Sequence, residues 1–180
     1  MKLAAVEQSI VDYEQAFTTF CDAYQLPKTW FLRPDHFAVK CANEIDYLET
    51  CTEFTNEVDA SGIWEISMDD RLLASAKLSG KTGLAGYGFG WIEIMQPRPG
   101  KELESGFVEH TEFLFPDFFT IQKVLDLRGV DFELQRNPGH SWLNVPIDDS
   151  GREIKFNDQL LADVVVVERE NGKLHRIQES

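Results

Sequence analysis

Basic side chains are scarce in this chain. Its 180 residues hold 17 Lys and Arg against 31 Asp and Glu, a formal net charge of −14. No cluster of four or more basic residues occurs, which excludes nucleic acid and anionic membrane as partners, because phosphate backbones and anionic leaflets recruit such clusters. Acidity of this kind favours solubility and names no ligand. Cysteine is sparse as well. Cys21, Cys41 and Cys51 are odd in number and lack C-x-x-C spacing, so a disulfide framework and a zinc knuckle are excluded and buried reduced thiols are expected. No apolar run approaches the roughly 18 residues of a membrane span. Met1-Lys2-Leu3 leads into polar and acidic residues and not into a signal-peptide core, so the cytoplasm is the expected compartment. Five glycines between positions 80 and 90 come without a G-x-x-x-x-G-K-[ST] pattern, which points to a mobile loop and away from a phosphate cradle.

What is present is enough apolar material for a core: 43% hydrophobic and 12% aromatic residues, sufficient for one substantial core or two small halves sharing one. Leu3, Val6, Ile10, Tyr13, Phe17, Phe20 and Tyr24 recur at steps of three and four. This predicts an amphipathic helix, closed near Leu26-Pro27 and packed on the chain's own core. Asp35–Cys41 alternates, with Phe37, Val39 and Cys41 on one face and His36, Ala38 and Lys40 on the other. A helix over 44–57, a hairpin of Ile63–Met68 with Leu72–Leu78 around Asp69-Asp70, and a strand Trp91–Met95 follow.

A break at Gln96–Gly100 separates this half from a second of the same order. Strand Phe107–Phe115, a helix over Phe118–Leu127, and strands at Asp131–Gln135, Ser141–Pro146 and Glu153–Phe156 repeat it. The duplication predicts two modules, about 35–96 and 106–158, in one α+β domain over 31–180, with residues 1–30 as a packed helix. The extension 159–180 has two readings. Asp158–Glu170 suits a helix capped by Asn157, while Val164–Val167 suits a strand and Asn171-Gly172 a hairpin turn.

The stretch Val108–Phe115 carries the chemistry. Alternation places Thr111, Phe113 and Phe115 on one side and His110, Glu112 and Leu114 on the other. An imidazole and a carboxylate on one strand face can ligate a metal, run acid–base chemistry, or pair as charges. His36 lies in an earlier strand of the same design. By parity His36, Lys40, Glu93, His110, Glu112 and Lys155 all oppose apolar faces, so they must be solvated, paired or ligated in a cleft. His140, His175 and the four tryptophans read as surface, rim or core. Trp91, which shares a face with Glu93, is the exception expected to line the cleft.

The paired β-α-β-β-β order with a histidine opening the first strand of each half resembles the vicinal oxygen chelate superfamily, which includes glyoxalases, extradiol dioxygenases, methylmalonyl-CoA epimerase and bleomycin-resistance proteins. Asp35–Cys41, Glu109-His110-Thr111-Glu112 and Ile154-Lys155-Phe156 look most like its YecM family. The resemblance implies a curved mixed sheet with an open cleft. It also implies a divalent ion (zinc, nickel, manganese or iron) held by His36, Glu93 and His110. The fourth ligand place falls on Lys155, a departure, since an ammonium has no lone pair for a metal. Glu112 is then the acid–base group or a substitute third ligand, and Lys155 its electrostatic partner. The implied function is a metal-dependent lyase, isomerase or dioxygenase acting on a small oxygen-bearing substrate. The alternative is a metal-free small-molecule binding protein of the same fold.

Overall fold

The computed structural model describes residues 3–32, 34–55, 58–68, 70–79, 88–115, 117–137 and 140–177. Most of the glycine-rich loop expected at 80–90 lies outside them. The first module runs β1 (Pro34–Lys40), α2 (Glu44–Phe54), β2 (Val58–Met68), β3 (Arg71–Leu78) and β4 (Trp91–Met95). The second repeats it as β5 (Phe107–Leu114), α3 (Phe118–Arg128), β6 (Glu133–Asn137), β7 (His140–Pro146) and β8 (Glu153–Asn157). The duplication extends to the helix caps. Asn43 accepts the Asp46 N–H at 3.0 Å and Asp117 accepts the Thr120 N–H at 3.2 Å, each filling one orphan donor of a first turn.

The described strands form one sheet in the order β6-β7-β8-β5-β1-β4-β3-β2, with a short ninth strand, β9 (His175–Arg176), beside β2. β1 pairs in parallel with β4 and β5 in parallel with β8, while β1 and β5 meet antiparallel at the centre. The strands that carry His36 and His110 are therefore neighbours, although most of a module separates them in the chain. One face of the sheet is apolar. Phe37, Val39, Ile92 and Ile94 pack with helix residues Tyr47 and Phe54 in one cluster. Leu143, Val145, Ile154 and Phe156 pack with Ile121 and Leu125 in a second. Phe37, Val39, Ile92, Ile94, Ile154 and Phe156 are the alternate positions read from the sequence, and the architecture is the expected α+β pair of β-α-β-β-β modules. The opposite face carries His36, His110 and Glu112, all buried, beside an apolar patch of Ala38, Leu73 and Met95.

The N-terminal helix α1 (Leu3–Ala23) ends before Pro27, with Gln25 in the left-handed region at φ 51°. Val6, Ile10 and Tyr13 are buried from it. Its buried polar groups repair gaps in the central ladder. Ser9 Oγ accepts the Val108 N–H at 2.7 Å. Tyr13 Oη accepts the Thr111 N–H at 3.2 Å and donates to the Glu153 carbonyl at 2.6 Å. Tyr13→Phe is expected to cost about 1–3 kcal/mol, because buried backbone groups lose their partner while packing is kept; urea unfolding measures it.

In the extension the helix reading holds and the strand over Val164–Val167 does not, because those residues lie within the helix. Residues Leu161–Glu170 form a helix, α4, and after the Asn171-Gly172 turn a short β9 (His175–Arg176) adds to β2. Asn157 does not cap α4, whose N-cap is Leu160 without a side-chain bond. The route of α4 follows the cleft side. Leu161 N–H donates to Asp35 Oδ2 at 2.8 Å, and Arg169 lies 5.5 Å from the Trp64 ring. No helix among the described residues is long and apolar enough to cross a membrane.

Candidate metal centre

Two irregularities in the β1–β5 ladder build the site. Pro34 pairs with Phe113 and Phe37 with Thr111, so Asp35 and His36 together oppose the single residue Glu112. Ala38 pairs with His110 and Val39 with Val108, so Glu109 is one residue too many on β5. Bulges of this kind re-aim side chains. Here each turns an acidic residue toward the histidine that follows it. Asp35 Oδ2 lies 3.1 Å from His36 Nδ1, and Glu109 Oε2 lies 3.4 Å from His110 Nδ1, the latter long for a hydrogen bond. Each acid is itself anchored, Asp35 by the Leu161 N–H and Glu109 by Lys40 Nζ at 2.8 Å.

With an acid beside each Nδ1, both Nε2 atoms face the same carboxylate oxygen. Glu112 Oε1 is 3.8 Å from His36 Nε2, 3.6 Å from His110 Nε2 and 4.0 Å from Lys155 Nζ. Its other oxygen accepts from Asn157 Nδ2 at 2.7 Å. The imidazole rings stand 5.9 Å apart, nearly perpendicular. His36, His110 and Glu112 are all buried, and one donor atom from each falls within 4.8 Å of the others.

Charge organises the pocket. Burial works against the His36 imidazolium, yet the carboxylates of Glu112, Asp35 and Glu93 outweigh it and push the pKa up to about 9. His110 moves the opposite way, held low by burial and then by the Lys155 ammonium. Burial also opposes the Glu112 carboxylate, but His36, Lys155, His110 and the Asn157 hydrogen bond bring it down to about 2. Glu109 is held well below the usual carboxylate range; burial opposes this, and His110 and Lys40 prevail.

A divalent ion fits this donor set on the structure's own terms. His36 Nε2 and His110 Nε2 are buried without a hydrogen-bond partner, a costly condition that a cation at their focus would relieve. Two imidazoles and one carboxylate suit zinc or a non-haem iron type of site with positions left for substrate. The acid behind each imidazole is the arrangement that fixes a ligating histidine's tautomer and orientation. Asp35→Asn or Glu109→Gln is therefore expected to weaken divalent-metal binding about 10- to 100-fold while leaving the fold intact, as read by chelator-competition titration beside circular dichroism.

Of the residues expected at the site, the structure brings His36, His110, Glu112 and Lys155 together. Glu93 stays outside that triangle. It pairs in the ladder with Ala38, which separates it from His110 by two strand spacings, and its charge still reaches His36. Trp91 is half-buried and pairs with His36, on the cleft face. His140 is more than a surface histidine. Its Nδ1 lies 3.0 Å from Asp158 Oδ1 and its ring stacks on Trp142. Asp35, Glu109 and Asn157 contact His36, His110 and Glu112, and alternation did not single them out. A signal for the first two was present: an acid–histidine dipeptide lies in the first strand of both modules.

No protein-family model matches this sequence, and no curated protein matches it. Solved structures do. The structural-genomics protein EC4020 superposes with a TM-score of 0.73 at 19% identity, covering 92% of each chain. The likeness shows the fold. Methylmalonyl-CoA epimerase from Mycobacterium tuberculosis matches at a TM-score of 0.47 and 15% identity, over 74% of this chain and 91% of its own. A variant of 4-hydroxymandelate synthase from Streptomyces coelicolor matches at 0.44 and 16% identity, over 77% of this chain and 55% of its own. These two overlap too loosely to bear on the chemistry.

Proposed function

We propose that this chain is a metal-dependent enzyme of lyase, isomerase or dioxygenase type, a member of the vicinal oxygen chelate superfamily and of its YecM family. It would act on a small substrate with adjacent oxygen atoms. One observation carries the reading: two buried imidazole Nε2 atoms without partners face one oxygen of a carboxylate whose other oxygen is tied down. His36, His110 and Glu112 would hold the ion, which supplies Lewis-acid stabilisation of an enolate or related oxyanion.

The remaining residues take their roles from position. Lys155, with a fifth of its side chain exposed and Nζ 4.0 Å from Glu112 Oε1, receives an anionic oxygen of the substrate and balances charge developing there. Glu93, the other carboxylate on this wall, is left free for proton transfer, a role Glu112 takes if Glu93 ligates instead. Trp91 supplies an apolar side to the cleft. Fold analogy alone chooses none of this.

The same ammonium favours the second reading, a metal-free binding module, because Lys155 can neutralise Glu112 without an ion. Metal content of untagged protein, followed by proton exchange of 2-hydroxy and 2-oxo acids in D₂O, separates the two. The enzyme reading expects bound metal and solvent deuterium at the carbon next to the carbonyl, C2 of a 2-hydroxy acid and C3 of a 2-oxo acid. Lys155→Met is expected to retain metal and to raise KM about 10-fold or more. Protein that takes up no zinc, nickel, manganese or ferrous iron overturns the enzyme and favours the binding module.

A further inference from the structure

Behind the two central strands, on the face opposite the metal centre, lies a cavity of about 190 Å³ between α1 and the sheet. We infer that it is a second ligand site, for a small organic cation of the alkylammonium class. This inference is independent of the proposed metal chemistry.

The walls are aromatic. Phe17, Phe31, Phe37, Phe89 and Phe113 line the cavity. Their rings form a continuous chain of contacts: Phe17 to Phe31 at 4.9 Å, Phe31 to Phe113 at 5.1 Å, Phe113 to Phe89 at 6.2 Å and Phe89 to Phe37 at 5.9 Å. Protein interiors seldom leave voids larger than a water, and an apolar void of roughly 150 Å³ is enough to take up a benzene-sized guest. The hydroxyls at its edge, Tyr13 and Thr111, already satisfy each other, and Tyr13 also donates to the Glu153 carbonyl. The cavity therefore offers little to a ligand that needs many hydrogen bonds.

Glu14 selects the sign. Among the described residues it is the one acidic side chain lining the cavity, exposed on α1 beside Tyr13 and Phe17. Partial burial raises its carboxyl above the usual value, so a cation beside it restores what desolvation removed. Aromatic faces present negative potential to a cation and give an anion nothing comparable. The net charge of −14 adds a field that draws cations toward the surface. An alkylammonium group satisfies the rings and the carboxylate together; a neutral isostere satisfies only the rings.

Choline and its neutral isostere 3,3-dimethylbutan-1-ol are the probes, each titrated into the full chain to about 10 mM and followed by methyl NMR of Ile10 and Val108, which line the cavity. Choline is expected to shift both methyl groups and to bind about fivefold tighter than the isostere. Glu14→Gln, at an exposed helix position, is expected to reduce that preference to what the rings alone supply and leave isostere binding unchanged. Equal affinity of the two probes for the parent overturns the cation assignment. No shift at either methyl with both probes overturns the site.

Discussion

His36→Ala and His110→Ala are each expected to strip the protein of divalent metal, with affinity falling by about 1,000-fold or more. The donors are three, His36, His110 and Glu112. Removing one leaves two, too few to hold an ion against water. Glu112→Gln should behave likewise: its neutral amide would lose the charge that both Nε2 atoms and Lys155 face. Because His36→Ala leaves the buried Glu112 carboxylate less well balanced and His110→Ala opens a space in the sheet, each is to be checked by circular dichroism. His175→Ala, at an exposed position, is the control and should keep full metal content. Elemental analysis beside thermal shift with added zinc, nickel, manganese or ferrous iron reads the result. Retention of stoichiometric metal by a folded His110→Ala variant would sink the proposed centre.

Metal affinity is expected to rise about tenfold per pH unit up to roughly pH 9, with a slope of one proton and not two. The sign follows from the two imidazoles. His36 is raised to about 9 and is protonated at neutral pH, so the ion must displace its proton. His110 is lowered and already neutral, so it contributes no proton. The metal-free protein should show the reverse trend. His36, with its folded pKa above the unfolded value, contributes stability that is complete below about pH 6.5 and lost as pH rises through about 9. Glu112, lowered to about 2, contributes stability above about pH 4.5 that is lost as pH falls through 2. Added metal should therefore stabilise the protein more at pH 8 than at pH 6. Titrations at pH 6, 7 and 8 check the slope; a two-proton slope would place a second imidazolium in the free site.

Much of the fold was legible because it rests on local periodicity. The steps of three and four in Val6, Ile10, Tyr13 and Phe17 marked α1. The alternation of Phe37 and Val39, and of Thr111 and Phe113, marked the buried side of β1 and β5. The repeated element order marked the duplication. Helix ends were less legible: α1 stops at Ala23 through the left-handed Gln25 and not at the proline. Among site residues, His36, His110, Glu112 and Lys155 were readable as one face of the sheet. Choosing between Glu93 and Glu112 as the carboxylate nearest both imidazoles was not, since alternation assigns faces and says nothing about distance across strands.

Periodicity along the chain reveals which residues face the core, the doubling of one module, and the shared face of His36 and His110. The pairing of β1 with β5, the two slips in their ladder, and the bracing by Asp35, Glu109, Asn157 and α4 emerge only on folding. The physical reason is that a side chain's face follows from its own strand's pleat. Register is a compromise between two strands brought together from opposite modules. The one-residue slips that aim both Nε2 atoms at Glu112 exist only in that pairing.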